Sequence, residues 1–379
     1  MPVLWTSGWA KVTDLDLHGL LPEGLAKLSA YTPPEGEFRV RLDANESPFP
    51  PDPVVLEEIK RAVGEISLNR YPDPASKELR DAFAHRFGCH ADNVMAGNGS
   101  DELIGYLIWT LRGRREPGKP AVVVPTPTFA MYSIAAQAAG YEVHEVPLGP
   151  GLEPDMEAIL DGIKEKHPGI VFLSNPNNPT GTFYSKDQIY RILGSTTGLV
   201  VVDEAYGDFS GEASWVPEVV SIGNLAVLRT LSKVGAAAVR CGFLVAGSGL
   251  LSEVNKVRFP FNLSRYSQVA GKTFLDHYDR ARTRVETVVA ERGRLAEGLL
   301  EAGLRVFPSR GNFLFAQCGG REEALWLFLK ENGIMIKFLP RLQVTGDALR
   351  ITVGTREEND LLILKTREFF AEGGTDAQG

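Results

Sequence analysis

The stretch 170–209, IVFLSNPNNPTGTFYSKDQIYRILGSTTGLVVVDEAYGDF, decides the fold. It opens on a short apolar run, turns through a cluster of Asn, Pro and Gly, carries a helix from Lys186, and returns to a second apolar run that ends in an acidic pair. Short Val/Ile/Leu runs that do not alternate with polar residues are strands buried on both faces, and helices between them make βα units. The same rhythm continues on either side. Upstream lie a helix at Lys77–Phe87 and one that Ser100 opens as N-cap, with Asp101 and Glu102 in its first turn. They are followed by AVVV (121–124), a helix after Phe129, YEVHEV (141–146) and a helix over Met156–Glu165. Downstream lie LAVLRT (225–230) and CGFLVA (241–246).

Residues 266–301 hold almost no breakers and predict one or two long helices able to bridge domains. LRVF, NFLFA, IMIK and LRITV then predict strands of a smaller sheet, with helices at 321–331 and 356–370. The expected division is an extended arm over 1–45 with a short helical piece around Pro22–Ser29, a large domain over 46–270, a small domain over 271–372 and a frayed tail over 373–379.

Composition sets the limits. The chain has 379 residues, 44% hydrophobic and 23% charged, an ordinary soluble profile long enough for a large core and two domains. A net charge of −8 argues against nucleic acid or an anionic membrane as partner, so an anionic substrate needs a local cluster of cations. Three scattered cysteines, Cys89, Cys241 and Cys318, fit neither a disulfide framework nor a metal site. The N-terminus carries no secretion signal and no apolar run reaches membrane-spanning length. The expectation is a cytoplasmic protein, in which the N-x-S triplets at Asn45, Asn98 and Asn262 are chance.

Five segments carry residues suited to chemistry, and each has a plain structural alternative. Asn98-Gly99-Ser100-Asp101 enters a helix whose terminus favours an anion such as phosphate; alone it also reads as an ordinary cap. SNPNNPTG (174–181) holds an amide over a strand's carboxyl end, or is simply a tight turn. VVVDEAYGDF (200–209) delivers Asp203 into the same crevice, where a buried carboxylate needs a cation, with Tyr206 as a nearby hydrogen-bond donor; the alternative is a capping Asp. LRTLSKVGAAAVRCGFL (228–244) offers Thr230, Ser232 and Arg240 for phosphate oxygens and sets Lys233 among small residues, although a lone lysine usually lies in solvent. In LRITVGT (349–355), Arg350 has the fork suited to a substrate carboxylate, or serves as a strand-edge charge.

Taken together, NNPTG, Asp203 with Tyr206 three residues on, Ser232-Lys233, Arg240 and RITVGT resemble, in order and spacing, the fold-type I pyridoxal-phosphate aminotransferases over about residues 25–370. LDANESP (42–48), RYPDP (70–74), GNGSDE (97–102), PTPTFAMY (125–132) and GNFLF (311–315) resemble the histidinol-phosphate branch of that family. The resemblance implies an α/β fold: a large domain with a mostly parallel seven-stranded sheet flanked by helices, and a smaller α+β C-terminal domain. It implies that Lys233 carries pyridoxal 5'-phosphate as a Schiff base and moves the proton at the substrate Cα. Asp203 would pair with the protonated ring nitrogen, Asn178 and Tyr206 would bond the ring oxygen, and Phe129 would stack on the ring. Ser100, Asp101, Ser232, Arg240 and Thr230 would surround the phosphate, with Tyr71 reaching it from the other subunit of a homodimer. Arg350 would take the 2-oxoglutarate carboxylate and then the donor's phosphate, and Tyr31, Asn45 and Asn312 would line the substrate site. A departure from the family pattern is Lys337 in GIMIK, where many members carry a second arginine; lysine brings charge without the fork.

The activity so implied is transamination of L-histidinol phosphate with 2-oxoglutarate in histidine biosynthesis. An aromatic amino acid aminotransferase, a threonine-phosphate decarboxylase and a non-enzymatic cofactor-binding regulator are the alternatives.

Overall fold

The first strand, β1 (Val40–Leu42), and the long apolar runs that follow it go to different sheets in the computed structural model, which describes residues 24, 25, 28, 30, 36–112 and 119–372. The runs form seven strands: β2 (Val94–Asn98), β3 (Ala121–Thr126), β4 (Glu142–Pro147), β5 (Ile170–Ser174), β6 (Leu199–Asp203), β7 (Leu225–Thr230) and β8 (Cys241–Ala246). They lie in the order β2-β8-β7-β6-β5-β3-β4. All neighbours are parallel except β8, which runs antiparallel to both β7 and β2. The expected mostly parallel seven-stranded sheet is therefore present.

The sheet is apolar on both faces because its strands feed two cores alternately. Val171, Leu173, Val200, Val202 and Val227 pack on one face, and Ile170, Phe172, Val201, Ala226 and Leu228 on the other. The flanking helices are α1 (Pro53–Gly64), α2 (Lys77–Phe87), α3 (Ser100–Thr110), α4 (Met131–Ala138), α5 (Met156–Lys166), α6 (Lys186–Ser195), α7 (Ser248–Val254) and α8 (Arg265–Asp276). Their starts follow from local chemistry. Asp52 and Asp155 cap α1 and α5 with their carboxylates, and Ser185 with Gln188 closes a reciprocal capping box on α6. At α3 the expectation needs correction: Gly99, at φ +82°, occupies the N-cap, and Ser100 is the first helical residue. Only a residue free to adopt a left-handed φ makes that turn without strain, and glycine supplies it.

The breaker-poor segment resolves into two helices, α8 and α9 (Tyr278–Glu301), separated at His277. At 24 residues, α9 is about 36 Å long. It runs from the loop after β6, where Tyr278 meets Asp208, to the second sheet, where Arg292 donates to the Gly311 carbonyl. That sheet contains β9 (Arg305–Phe307), β10 (Phe313–Gln317), β11 (Ile334–Leu342) and β12 (Gly346–Thr352); α10 (Glu322–Glu331) packs on it, and α11 (Arg356–Glu372) packs on α9 and α10. Its order is β1-β11-β12-β10-β9, with β1 parallel to β11. Residues 40–42, expected in an extended arm, thus form the edge strand of the second sheet. Tyr31, most of the helical piece expected around Pro22–Ser29, and the tail over 373–379 lie outside the described residues.

Candidate active site

The carboxyl edge of the central strands is where parallel α/β sheets gather ligands. Asp203 ends β6 there, opposite Ser174 at the end of β5. Its carboxylate is buried and accepts hydrogen bonds from the Tyr132 hydroxyl at 2.7 Å and the Ala205 amide at 2.9 Å. Burial pushes the Asp203 carboxyl up to about 6, against the lowering effect of those two donors. Among the described residues no Lys, Arg or His lies within ion-pair distance of it. The burial that raises Asp203 also drives the Tyr132 phenol well above its ordinary value, and the neighbouring carboxylate adds to that shift.

The facing wall is built for an anion. Gly97 and Gly242 face each other across β2 and β8, and a side chain on Gly242 would collide with the backbone of Gly99 and Ser100. This close approach sets the N-terminus of α3 beside Arg240. The Gly99 amide donates to the Arg240 carbonyl at 2.8 Å, and Glu102 reaches back to accept from the Asn98 amide at 2.7 Å. The first-turn amides of a helix have no intrahelical acceptor; Ser100 and Asp101 line the pocket with Arg240, Thr230 and Ser232. A Cβ on Gly99 would lie 2.5 Å from the Arg240 guanidinium and would push it aside, so glycine leaves it in place over this cradle. The Thr230 hydroxyl is turned within the loop, bonded to Ser232 and to the Cys241 carbonyl, which makes it a support for Ser232.

Lys233 enters between these walls. Its ammonium donates to the Ala44 carbonyl at 3.3 Å and stands 5.7 Å from the Tyr206 ring centroid. Phe129, Asn178, Tyr206 and Ala205 complete the lining, so the pocket brings together Ser100, Asp101, Phe129, Asn178, Asp203, Tyr206, Thr230, Ser232, Lys233 and Arg240. Arg350, from β12 of the second sheet, reaches Asn178 Oδ1 at 2.7 Å and the Asp43 carbonyl.

Comparison with known proteins follows the same line. The family profile for aminotransferase class I and II matches residues 39–365. The chain belongs to the class I and II aminotransferase family. This aminotransferase is 38% identical over 359 residues to the histidinol-phosphate aminotransferase of Desulfitobacterium hafniense, covering 93% of the chain and 98% of the relative. It is 35% identical to the protein of the same name from Pyrococcus furiosus, covering 92% and 98%. Among solved structures, histidinol-phosphate aminotransferase from Sinorhizobium meliloti in complex with pyridoxal-5'-phosphate superposes with a TM-score of 0.78 at 26% identity, over 88% of this chain and 91% of that one.

The donor set of the aminotransferase fits that cofactor. A buried carboxylate without a cation suits a protonated ring nitrogen, and the glycine-floored cradle under Arg240 suits a phosphate. Other expected residues stand further out. Asn45 and Asn312 are buried and bonded to each other through Asn312 Nδ2 and the Asn45 carbonyl, at 3.1 Å. Lys337 pairs across the sheet with Arg350 in register. Tyr71 is 82% exposed, stacked on Phe261 and absent from its own chain's pocket.

Two supports escaped the sequence reading. Tyr132 lies one helical turn after Phe129, inside a segment already singled out, and that spacing was the available signal. Arg229 pairs in the interior with Glu204 at 3.1 Å and Asp208 at 2.7 Å, gripping the loop that follows Asp203 and carries Tyr206; nothing local marks it.

Proposed function

We propose that this aminotransferase transfers the amino group of L-histidinol phosphate to 2-oxoglutarate with pyridoxal 5'-phosphate, in histidine biosynthesis in the cytoplasm. The observation that carries the cofactor is the uncompensated Asp203 carboxylate facing Lys233 across a pocket that ends in the Arg240 cradle. The substrate assignment is supported by relatives of that name at 35–38% identity over nearly the whole chain.

When bound, the cofactor supplies an electron sink conjugated to the substrate Cα. The protein's part is placement and proton transfer. Asp203 holds a proton on the ring nitrogen, with Tyr132 keeping the carboxylate oriented. Asn178 and Tyr206 donate to the ring oxygen, and Phe129 covers the ring face. Ser100, Asp101, Ser232 and Arg240 bind the phosphate, and Thr230 fixes Ser232. Lys233, tethered to the Ala44 carbonyl, takes and returns the proton at the substrate Cα. Arg350 binds the acidic end of each substrate in turn, and Lys337 beside it adds a second positive charge without a bidentate fork. Asn312 and Asn45 support the substrate side from the interior, and Tyr31 lines it.

The working unit is a homodimer in which Tyr71 reaches the partner's phosphate site. What supports this is Tyr71 itself, 82% exposed and stacked on the exposed Phe261, an apolar pair open to a second chain. The same reading divides the chain into the arm over 1–45, whose β1 packs in the small domain's sheet, a large domain over 46–270, a small domain over 271–372 and a tail over 373–379.

The deciding experiment profiles amino donors with 2-oxoglutarate. Histidinol phosphate is expected to give the highest kcat/KM, and Lys233→Ala to abolish turnover and the Schiff-base absorbance of the bound cofactor. Strong turnover of phenylalanine without histidinol phosphate, or release of CO2 from threonine phosphate, overturns the substrate assignment.

A further inference from the structure

We propose that Asn45 and Thr352 are positioning residues that fix the direction in which Tyr206 gives its hydroxyl proton. This rests on the reading above that Tyr206 donates to the ring oxygen of the cofactor.

Every polar group of Asn45 is engaged. Its Nδ2 donates to the Tyr206 hydroxyl at 3.0 Å. Its Oδ1 accepts from the Thr352 hydroxyl at 3.1 Å, its backbone N–H donates to the Thr352 hydroxyl at 3.0 Å, and its backbone carbonyl accepts from Asn312. Asn45, Thr352 and Asn312 are each no more than 2% exposed, and Tyr206 is 5% exposed, so water does not stand in for a missing partner.

The two ends of an amide have the same shape, and the network around them sets which end faces where. Rotated the other way, Asn45 would turn an acceptor toward Tyr206, which would then spend its proton on Asn45. The Thr352 proton would lose its acceptor, a cost that a buried group does not bear lightly. In the observed orientation Tyr206 accepts from Asn45, so its proton remains for the pocket, and among the described residues it has no other acceptor.

The backbone holds this arrangement. Asn45 sits at φ +53°, which Asn tolerates better than most residues. Thr352 is two residues beyond Arg350 on β12, so both side chains leave the same face of the strand that anchors the substrate acid. The polarity of Tyr206 is thereby tied to the seating of the second sheet against the first.

The test is a pH titration of the cofactor's visible absorbance in the holoenzyme. A donor to the ring oxygen stabilises its anionic form most once the neighbouring proton has left, so losing the donor raises the midpoint. Thr352→Val frees the amide to turn and is expected to raise it by about one pH unit, as Tyr206→Phe does. Thr352→Ser is expected to keep the wild-type midpoint. Asn45→Gly, which accepts the left-handed backbone and removes the competing oxygen, is expected to cancel the effect of Thr352→Val in the double variant, an outcome that a merely structural Thr352 would not give. If Thr352→Val does not fold, Asn45→Asp presents the acceptor directly and is expected to give the same upward shift. A shifted Tyr206→Phe with an unshifted Thr352→Val, or with an unshifted Asn45→Asp where that variant stands in, overturns the relay. An unshifted Tyr206→Phe removes the Tyr206 assignment beneath it, and a wild-type protein without a visible band removes the cofactor reading itself.

Discussion

Replacing Asp203 by Asn is expected to act in opposite directions on the apoprotein and on the enzyme. In the apoprotein the carboxylate is buried with two neutral donors and no cation, and its pKa stands near 6 against an ordinary 3.8. A carboxyl whose folded value is raised binds its proton more tightly in the folded state than in the unfolded chain, so stability falls as pH rises from about 4 through 6. At about 1.4 kcal/mol per unit, the cost carried at pH 8 is about 3 kcal/mol. Asp203→Asn removes that charge at nearly constant volume, and one new mismatch offsets part of the gain: the amide offers a single acceptor where Tyr132 and Ala205 both donate. The expected result is an apoprotein at least as stable as wild type at pH 8, by up to about 3 kcal/mol, with the advantage gone at pH 4. With the cofactor the sign reverses, because the amide leaves the ring's positive charge buried without its partner, a loss of about 3–5 kcal/mol or roughly two to four orders of magnitude in kcat/KM. Chemical denaturation of the apoprotein at both pH values, with steady-state kinetics of the reconstituted enzyme, reads both arms. An apoprotein clearly less stable than wild type at pH 8 would refute the view of Asp203 as a carboxylate kept at a cost for a cation.

Four further substitutions probe the neighbouring elements. Arg240→Ala removes a charged donor from the phosphate cradle and is expected to weaken cofactor binding about tenfold to a hundredfold, measured by equilibrium dialysis; Gly99→Ala acts in the same direction by pushing the guanidinium aside. Arg229→Met strands Glu204 and Asp208 in the interior and is expected to destabilise the apoprotein by about 3–5 kcal/mol in urea, so a loss below about 1 kcal/mol would show that the loop after β6 does not depend on that pair. Tyr71→Phe is expected to lower cofactor affinity about tenfold. Heterodimers of Tyr71→Phe with Lys233→Ala subunits are expected to recover one wild-type site, and a fully active monomer would contradict the shared site.

How much of this was legible beforehand depends on the range of the interaction. The central sheet was readable because a strand covered on both faces must be apolar at every position, as 170–173 and 199–202 are, and the helices between them begin with local caps. Lys233, Asp203, Asn178 and Arg240, which the structure brings to one pocket, were singled out by the order and spacing of their segments together, since the turn or strand end beside each left a plain structural alternative open. The parts that were missed are joined across long separations. Tyr132 meets Asp203 over 71 positions, Arg229 meets Glu204 over 25, and Asn45 meets Thr352 over 307. Such contacts depend on strand order and register, which put β1 into the second sheet and set Ser174 opposite Asp203. The sequence by itself determined which residue types stand at the mouth of the sheet, because periodicity and turn chemistry are local. Only the tertiary structure decided that Asp203 is buried without a cation and that Tyr206 lines the pocket with its hydroxyl accepting from Asn45. Both properties come from what the rest of the chain packs against those side chains.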